Sequence, residues 1–332
     1  MFKRNGLASK LFGLLIIFFI IINFIPANQM IMAPGIAQEL SPMVTVENGY
    51  KNESRGAFML TAVSTQPASL WDLIYVSLKK PRGVEIEPME RHIPPGMDMN
   101  EYLKIMKRYM EDSKLKSQAA AFKEAGFDIT IKKHGVVVEQ VLEDGSAKGK
   151  LKQGDVIIVV DGKPIKDDQD TVDFIREHQI GEDVEITVER DGKEIDYTMK
   201  TVETESNPGK ASIGVMIFTN YSYDFPRNVI FETDNIAGSS AGGMFALEIY
   251  NQLLEEDITK GRRIAGTGTI DLEGNIGVID GIVQKVIAAE ENNAEIFFVP
   301  VENYETAEKT ATKMKVVSIE TIGDAINYLL NN

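Results

Sequence analysis

The chain has 332 residues, 43% of them hydrophobic and 26% charged, the balance of globular domains with real cores rather than of a disordered chain. Its net charge of -15, from 50 acidic and 35 basic residues, argues against a nucleic-acid partner, because neutralising phosphates needs clustered Lys and Arg. Without cysteine, disulfides, thiolate zinc sites and a cysteine nucleophile are excluded; the histidines, His92, His134 and His178, lie far apart without a HExxH pattern, so neither a metal nor another cofactor is expected.

Residues 11–25 read LFGLLIIFFIIINFI without a charge, and with Gly6–Lys10 the stretch approaches the ~20 residues of a membrane span. Lys3, Arg4 and Lys10 come before it. The positive-inside rule then predicts a cytoplasmic stub and single-pass transmembrane helix over residues 1–30, in the cell membrane, with the catalytic part outside the cell. A cleaved signal peptide fits the same pattern, since PANQMIMAPGIAQ offers small-residue cleavage sites.

Beyond it, AFMLTAVS within 43–64 is rich in strand formers, and Pro81, Pro94 and Pro95 break any long element. Residues 99–125 lack Pro and Gly; Tyr102, Ile105, Met106, Tyr109 and Met110 fall at helical spacing and read as core packing. From Phe127 the texture changes to short β runs separated by Gly turns, with Asp191-Gly192 as a hairpin signal and 167–179 as the clear helix. Thr201–Lys210 reads as a polar linker, and from Ala211 strands and helices alternate. The fold class expected is α+β: an N-terminal transmembrane helix, a small β-barrel with helices, and a layered α/β domain.

The stretch VVVEQVLEDGSAKGKLKQGDVIIVVDGKPI resembles a PDZ domain of the bacterial protease-associated kind, through Gly145-Ser146-Ala147, Leu151, Gly154-Asp155-Val156-Ile157 and Asp161-Gly162-Lys163-Pro164. The resemblance covers 126–203. It implies capture of a peptide by strand addition, expected here between Gly135–Val141 and the 167–179 helix. A spacer that binds nothing is the plainer alternative.

The chemistry centres on Asp234-Asn235-Ile236-Ala237-Gly238-Ser239-Ser240-Ala241-Gly242-Gly243, a small-residue turn feeding a helix pattern. A serine there lies near free backbone N–H groups and the positive end of the helix dipole. Ser239 or Ser240 can equally be a simple cap. Gly238–Gly242 also fits the G-x-S-x-G elbow, but that enzyme class needs a later histidine and none follows His178. A nucleophilic Ser240 would need another base, such as a lysine whose pKa is lowered by burial. Lys285 sits among Ile282, Val286, Ile287, Ala288 and Ala289 and fits that need; a surface lysine snorkelling past apolar neighbours is the alternative.

Together, GSSAGG with its helix and GTGTIDLEGNIGVIDGIVQKVIAA resemble the Ser-Lys proteolytic domain of the Lon family, over 207–332. The resemblance implies Ser240 as nucleophile, Lys285 as general base, and Thr267 as the residue that holds the lysine. It also implies that Gly238 and Ser239, in the small-residue stretch 237–242, leave room for substrate backbone beside an oxyanion hole. Many members carry an acidic residue three positions before the serine, where this chain has Ala237; either Asp234 or Glu232 supplies the charge from nearby or the dyad works without it. The chain has no G-x-x-x-x-G-K-[ST] loop, so no ATP partner is expected. Anchor, PDZ-like module and Lon-like domain in this order resemble a family of membrane-anchored PDZ and Lon-type proteases of Gram-positive bacteria. In that family, 43–125 packs with the C-terminal domain and the PDZ-like module is an insertion. The expected activity is ATP-independent endopeptidase action on extracytoplasmic peptides or unfolded segments, with an oligomer left open. The rival is a catalytically inactive PDZ scaffold that binds peptides.

Overall fold

In the computed structural model, which describes residues 5–50, 56–93, 97–205, 207–233 and 236–332, the apolar N-terminal run folds as α1 (Asn5–Phe24). Strand β1 (Pro26–Glu39) follows almost at once, so the helix stops where Pro26 begins an extended segment. Its uncharged part, from Leu11 to Phe24, is about 21 Å long at roughly 1.5 Å per residue, against a hydrocarbon core of about 30 Å. Among the described residues no helix is long and apolar enough to cross a membrane. The expected transmembrane anchor, and the cell-membrane location that rested on it, are corrected accordingly. Residues 26–30, the end of the segment expected as stub and anchor, belong instead to β1.

After β2 (Val44–Val46) comes β3 (Ala57–Ser69), which runs antiparallel to β1 and contains AFMLTAVS. Helix α2 (Leu70–Lys79) starts with a capping box in which Ser69 and Asp72 satisfy each other's backbone N–H. Trp71 on α2 meets Phe19 of α1 edge to face, with ring centroids 5.0 Å apart. Strand β4 (Glu85–Pro88) pairs with the far side of β1, and helix α3 (Met99–Glu124) follows.

The chain divides into two units, one holding the segments up to Ile93, Met99–Asp128 and Phe225–Asn332, the other holding Ile129–Asp224. The second unit contains β5 (Thr130–Val141), β6 (Val156–Val160), β7 (Lys163–Pro164), α4 (Asp168–Arg176), β8 (Asp183–Arg190) and β9 (Lys193–Lys200). It continues with β10 (Val202–Thr204), β11 (Asn207–Ser212) and β12 (Val215–Asp224). Alternating positions of β5 and β8 fill its core, Val136 and Val138, then Val184, Ile186 and Val188, while a register shift in β6 brings both Ile157 and Val160 inward. Asp161-Gly162 and Asp191-Gly192 both turn with positive φ at each residue, the geometry that suits the twist of a tight hairpin. Thr201–Lys210, expected as a linker, instead contributes to the β10–β11 hairpin; its polar residues carry no period-two apolar signal because little of it is buried. The sheet runs β12-β5-β6-β8-β9, with β7 paired to β6. Strand β5 is therefore paired on both sides, and β12 is the edge strand.

The first unit resumes with β13 (Val229–Phe231), α5 (Gly242–Leu253), β14 (Arg263–Gly266), β15 (Thr269–Ile270), β16 (Ile276–Gly277) and α6 (Ile282–Glu291). It ends with β17 (Ile296–Pro300), α7 (Tyr304–Thr310), β18 (Lys315–Ile319) and α8 (Ile322–Asn331). Its main sheet has the order β18-β17-β14-β3-β1-β4. Strand β17, IFFVP, is buried along its whole length between two parallel neighbours, which is why it reads as an unbroken apolar run.

One feature of this sheet shapes the site. Strand β14 pairs with β3 only across Ala57–Leu60 and ends at Gly266. The next turn is held close: a Cβ on Gly268 would stand 2.4 Å from Ile276 Cγ2. Beyond Leu60, the side of β3 that faced β14 has lost its neighbour, and Thr61 Oγ1 donates to Gly266 O where the two strands part. The burial of β3 changes at the same place, from buried to exposed.

Phe297 is fully buried in the centre of this sheet. Phe297→Ala is expected to cost about 3–5 kcal/mol, read as a lowered urea midpoint with an unchanged slope.

Candidate active site

Small residues let the turn before α5 approach two neighbouring elements closely. Gly238 adopts φ +91°, and its N–H donates to Met106 O at 2.8 Å. Ser240 O accepts from Gly268 N at 2.8 Å and from Thr267 Oγ1 at 3.1 Å. A Cβ on Gly242 would come within 2.6 Å of Ile270 Cγ2 and 2.7 Å of Ser113 Oγ, so only glycine lets the helix start here. The N-cap of α5 is Ala241, and no side chain caps the helix. The Ser240 hydroxyl is thus not used as a cap.

The hydroxyl meets Lys285 instead. Lys285 Nζ donates to Ser240 Oγ at 2.8 Å and to Thr267 Oγ1 at 3.1 Å. Lys285 projects from α6, whose start is set by Gly281 at φ +71°, and only 4% of the residue is exposed. Val286, Ile287, Ala288 and Ala289 around it are buried as well. Burial pushes the amine down from 10.5 to about 8, partly opposed by the negative charge of Asp280. The five residues singled out from the sequence, Gly238, Ser239, Ser240, Thr267 and Lys285, are therefore brought to one place.

Ser240 and Lys285 open on a cleft of about 520 Å³. One wall is Thr61–Thr65, the stretch of β3 that β14 leaves uncovered. Another comes from α3, through Tyr102, Leu103, Met106 and Met110, so the apolar stripe expected to be core is divided between core and cleft. Ile236 and Ala237 complete the apolar lining, and Asp280 and His92 supply polar groups. Burial, then the charge of Asp280, raises the pKa of the Tyr102 hydroxyl.

Three contributors were missed by the sequence reading. Ser113 Oγ donates to Ser239 O at 3.0 Å, and Ser117 Oγ donates to Gly242 O at 2.9 Å, so α3 braces the serine turn. Their signal was faint: two serines one turn apart on the buried, mostly apolar side of a helix. Asp280 is the third. It stands directly before the glycine that starts the lysine helix, a placement that could have been noticed. Glu232 is exposed and does not line the cleft, and Asp234 lies outside the described residues. Among the described residues, no group of His, Asp and Glu is arranged to hold a metal.

In the second unit, the groove expected between Gly135–Val141 and the helix has its strand edge filled, because β12 pairs along β5. A smaller cavity of about 80 Å³ lies instead between α4 and the β11–β12 segment, lined by Val172, Ile175, Ile213, Val215 and Ile217 with Arg176 at hand.

Residues 115–201 match the family model of the PDZ domain, and residues 235–332 match that of the Lon protease (S16) C-terminal proteolytic domain. The chain thus carries a PDZ domain and a Lon-type proteolytic domain. It is similar to the pro-apoptotic serine protease NMA111 of Meyerozyma guilliermondii, 29% identical over 119 residues, 35% of this chain and 12% of that protein. It is also similar to the serine protease Do-like HtrA of Lactobacillus helveticus, 38% identical over 69 residues, 20% of this chain and 17% of that protein. A Lon protease of Aster yellows witches'-broom phytoplasma is 31% identical over 96 residues, 28% of this chain and 12% of that protein. The chain spans between 12% and 17% of the length of these relatives.

A buried amine weakens the fold that holds it. Because the folded-state pKa of Lys285 lies near 8 and the ordinary value is 10.5, the folded protein releases the proton more readily than the unfolded chain. The penalty is full below pH 8 and fades as the pH rises toward 10.5. Lys285→Met is expected to raise stability at pH 7 by roughly 3 kcal/mol, with the gain shrinking toward pH 10. Urea unfolding of variant and parent at the two pH values checks both the sign and the trend.

Proposed function

We propose that the chain is a serine endopeptidase that uses a Ser240–Lys285 dyad, without ATP, to cut peptides and unfolded protein segments captured in part by its PDZ domain. The observation that carries the reading is the 2.8 Å contact between the Ser240 hydroxyl and a lysine amine that burial brings to about 8. A match to a Lon-type proteolytic domain over 235–332 and similarity to proteins named as serine proteases support it.

In this mechanism neutral Lys285 takes the proton from Ser240 as Oγ attacks the scissile carbonyl. Thr267 keeps the amine pointed at the hydroxyl. Negative charge builds on the carbonyl oxygen beside the N-terminus of α5, where backbone N–H groups and the helix dipole favour it. The Lys285 ammonium then protonates the leaving amine, which departs and leaves Ser240 acylated. Water, deprotonated by Lys285, releases the acyl group and regenerates the serine. Ala237 offers no carboxylate, and Asp280 is the acidic group whose charge acts on the lysine.

The substrate lies extended in the cleft, along the edge that β3 leaves open between Thr61 and Thr65. Its side chains meet Met106, Met110 and Ile236, which favours apolar residues near the cut. A folded protein cannot present such a strand, and the 332 residues contain no phosphate-cradling loop that would drive unfolding with ATP. Longer substrates are held additionally by the PDZ domain, through addition to the outer edge of β12 beside α4.

With a reduced and alkylated protein as substrate, the rate is expected to rise about tenfold per pH unit below 8 and to level off above it, with no effect of added ATP. Ser240→Ala and Lys285→Met are each expected to lower kcat by about 10³-fold or more. Variants that cut as fast as the parent would sink the dyad. Peptide binding with no turnover in the parent would leave the scaffold reading standing. Separately, Val172→Arg, placed in the α4–β12 cavity, is expected to raise KM for a long unfolded substrate while leaving a short peptide's kcat and KM unchanged.

A further inference from the structure

The turn that carries Ser240 is gripped from behind by a helix that supplies no reacting group. Ser113 on α3, only 2% exposed, donates its hydroxyl to the Ser239 carbonyl at 3.0 Å. The same carbonyl accepts the Gly242 N–H at 3.2 Å. One turn along α3, Ser117 donates to Gly242 O at 2.9 Å and to Ser113 O at 2.6 Å. The absence of a side chain on Gly242 is what admits the Ser113 hydroxyl, which would stand 2.7 Å from a Cβ there.

The orientation of this carbonyl has a chemical consequence. In a trans peptide the C=O and the next N–H point in opposite directions across a rigid plane. The Ser239–Ser240 peptide is trans. Its oxygen is fixed toward Ser113 and the first turn of α5, so its N–H, which is the amide of Ser240 itself, faces the other way, out of the helix N-terminus. Among the described residues that N–H has no acceptor. It belongs to the same residue as the hydroxyl that meets Lys285.

We infer that Ser113 is a positioning residue for the oxyanion: its hydroxyl sets the rotation of the Ser239–Ser240 peptide and thereby aims the Ser240 N–H at the oxygen that becomes negative during attack. This rests on the Ser–Lys reading above. It gives the first unit's long helix a part in the chemistry beyond lining the cleft. A donor aimed in advance costs no reorganisation when charge develops, which is where such hydrogen bonds gain their effect.

The test compares Ser113→Ala with the full-length parent, using a short peptide amide and a peptidyl boronate of the same sequence. In the boronate adduct Ser240 Oγ adds to boron, the hydroxyl proton passes to Lys285, and the tetrahedral boron centre carries negative charge with an oxygen at the oxyanion position. Ser113→Ala is expected to lower kcat and weaken boronate inhibition by the same factor, about 10- to 100-fold, with KM within about twofold and the acid limb of the pH profile unmoved. A purely structural serine would lower the melting temperature without this matched pair of losses. Ser117→Ala, equally buried but not bonded to Ser239 O, is the comparison and is expected to show a smaller change in both. Should Ser113→Ala fail to fold, Ser113→Cys fills the space with a weaker donor and is expected to show the same paired loss to a lesser degree. A folded Ser113 variant with parental kcat and boronate inhibition, or one that changes KM alone, overturns the inference. If the parent itself neither cleaves nor binds the boronate, the Ser–Lys reading falls and takes this inference with it. An active parent matched by its Ser113 variant overturns this inference alone.

Discussion

An amine held out of water is favoured in its neutral form, and the burial of Lys285 is the constraint around which its neighbours in the C-terminal domain are arranged. Lys285 is placed on a helix whose following residues, Val286 to Ala289, are all buried, so its charged form lacks solvation. Two hydroxyls, from Ser240 and Thr267, are its polar contacts at Nζ. Both partners come from the segments that meet at the end of β14, and each is fixed in turn: Thr267 Oγ1 donates to Ser240 O, and Gly268 N donates to the same oxygen. The three groups therefore form one hydrogen-bonded cluster and cannot move independently. Burying the amine in this cluster weakens the folded state while it carries its charge.

The same strand ending that makes room for Thr267 also opens the cleft. If β14 continued past Gly266 alongside β3, Thr61–Thr65 would be an interior stretch of sheet. Because it stops, those residues become a wall next to Ser240 and an edge with backbone groups left to pair. The Ser240–Lys285 contact and the cleft beside it thus arise from one local event, a close turn at Gly268 that packs against Ile276. Helix α3 then closes the opposite side and braces the serine turn through Ser113, Ser117 and the Met106 carbonyl. The second unit manages its edges in a comparable way: β12 covers β5 and offers its own outer edge beside α4.

Much of this was legible in order along the chain. The Gly turns of the PDZ domain, the buried run IFFVP, the AFMLTAVS strand and the serine and lysine segments each carry a local signal, because turn geometry and burial on both faces restrict residue type at those positions. The β10–β11 hairpin was not legible, since little of it is buried and nothing in its polar residues marks two strands. Nor was the start of β1 at Pro26, inside the 1–30 segment expected as stub and anchor. A run of apolar residues shows what avoids water, but whether it continues as helix past Phe24 depends on Pro26 and on the pairing of β1 with β3, a partner about thirty residues away.

What the sequence by itself determined was the chemical vocabulary: no cysteine, no histidine after His178, one serine turn rich in glycine and one lysine among apolar residues. These exclude a cysteine nucleophile and a histidine placed after the serine in chain order. What only the tertiary structure decided was distance and direction. It put Lys285 Nζ 2.8 Å from Ser240 Oγ, turned Asp280 rather than Glu232 into the cleft, and set Ser113 behind the serine turn. The physical reason is that each of these pairs is separated by many residues, so neither member has a local preference that reports the other. Their approach is fixed by the packing of α3, α5 and α6 against the sheet, and by glycines whose missing side chains leave room for it.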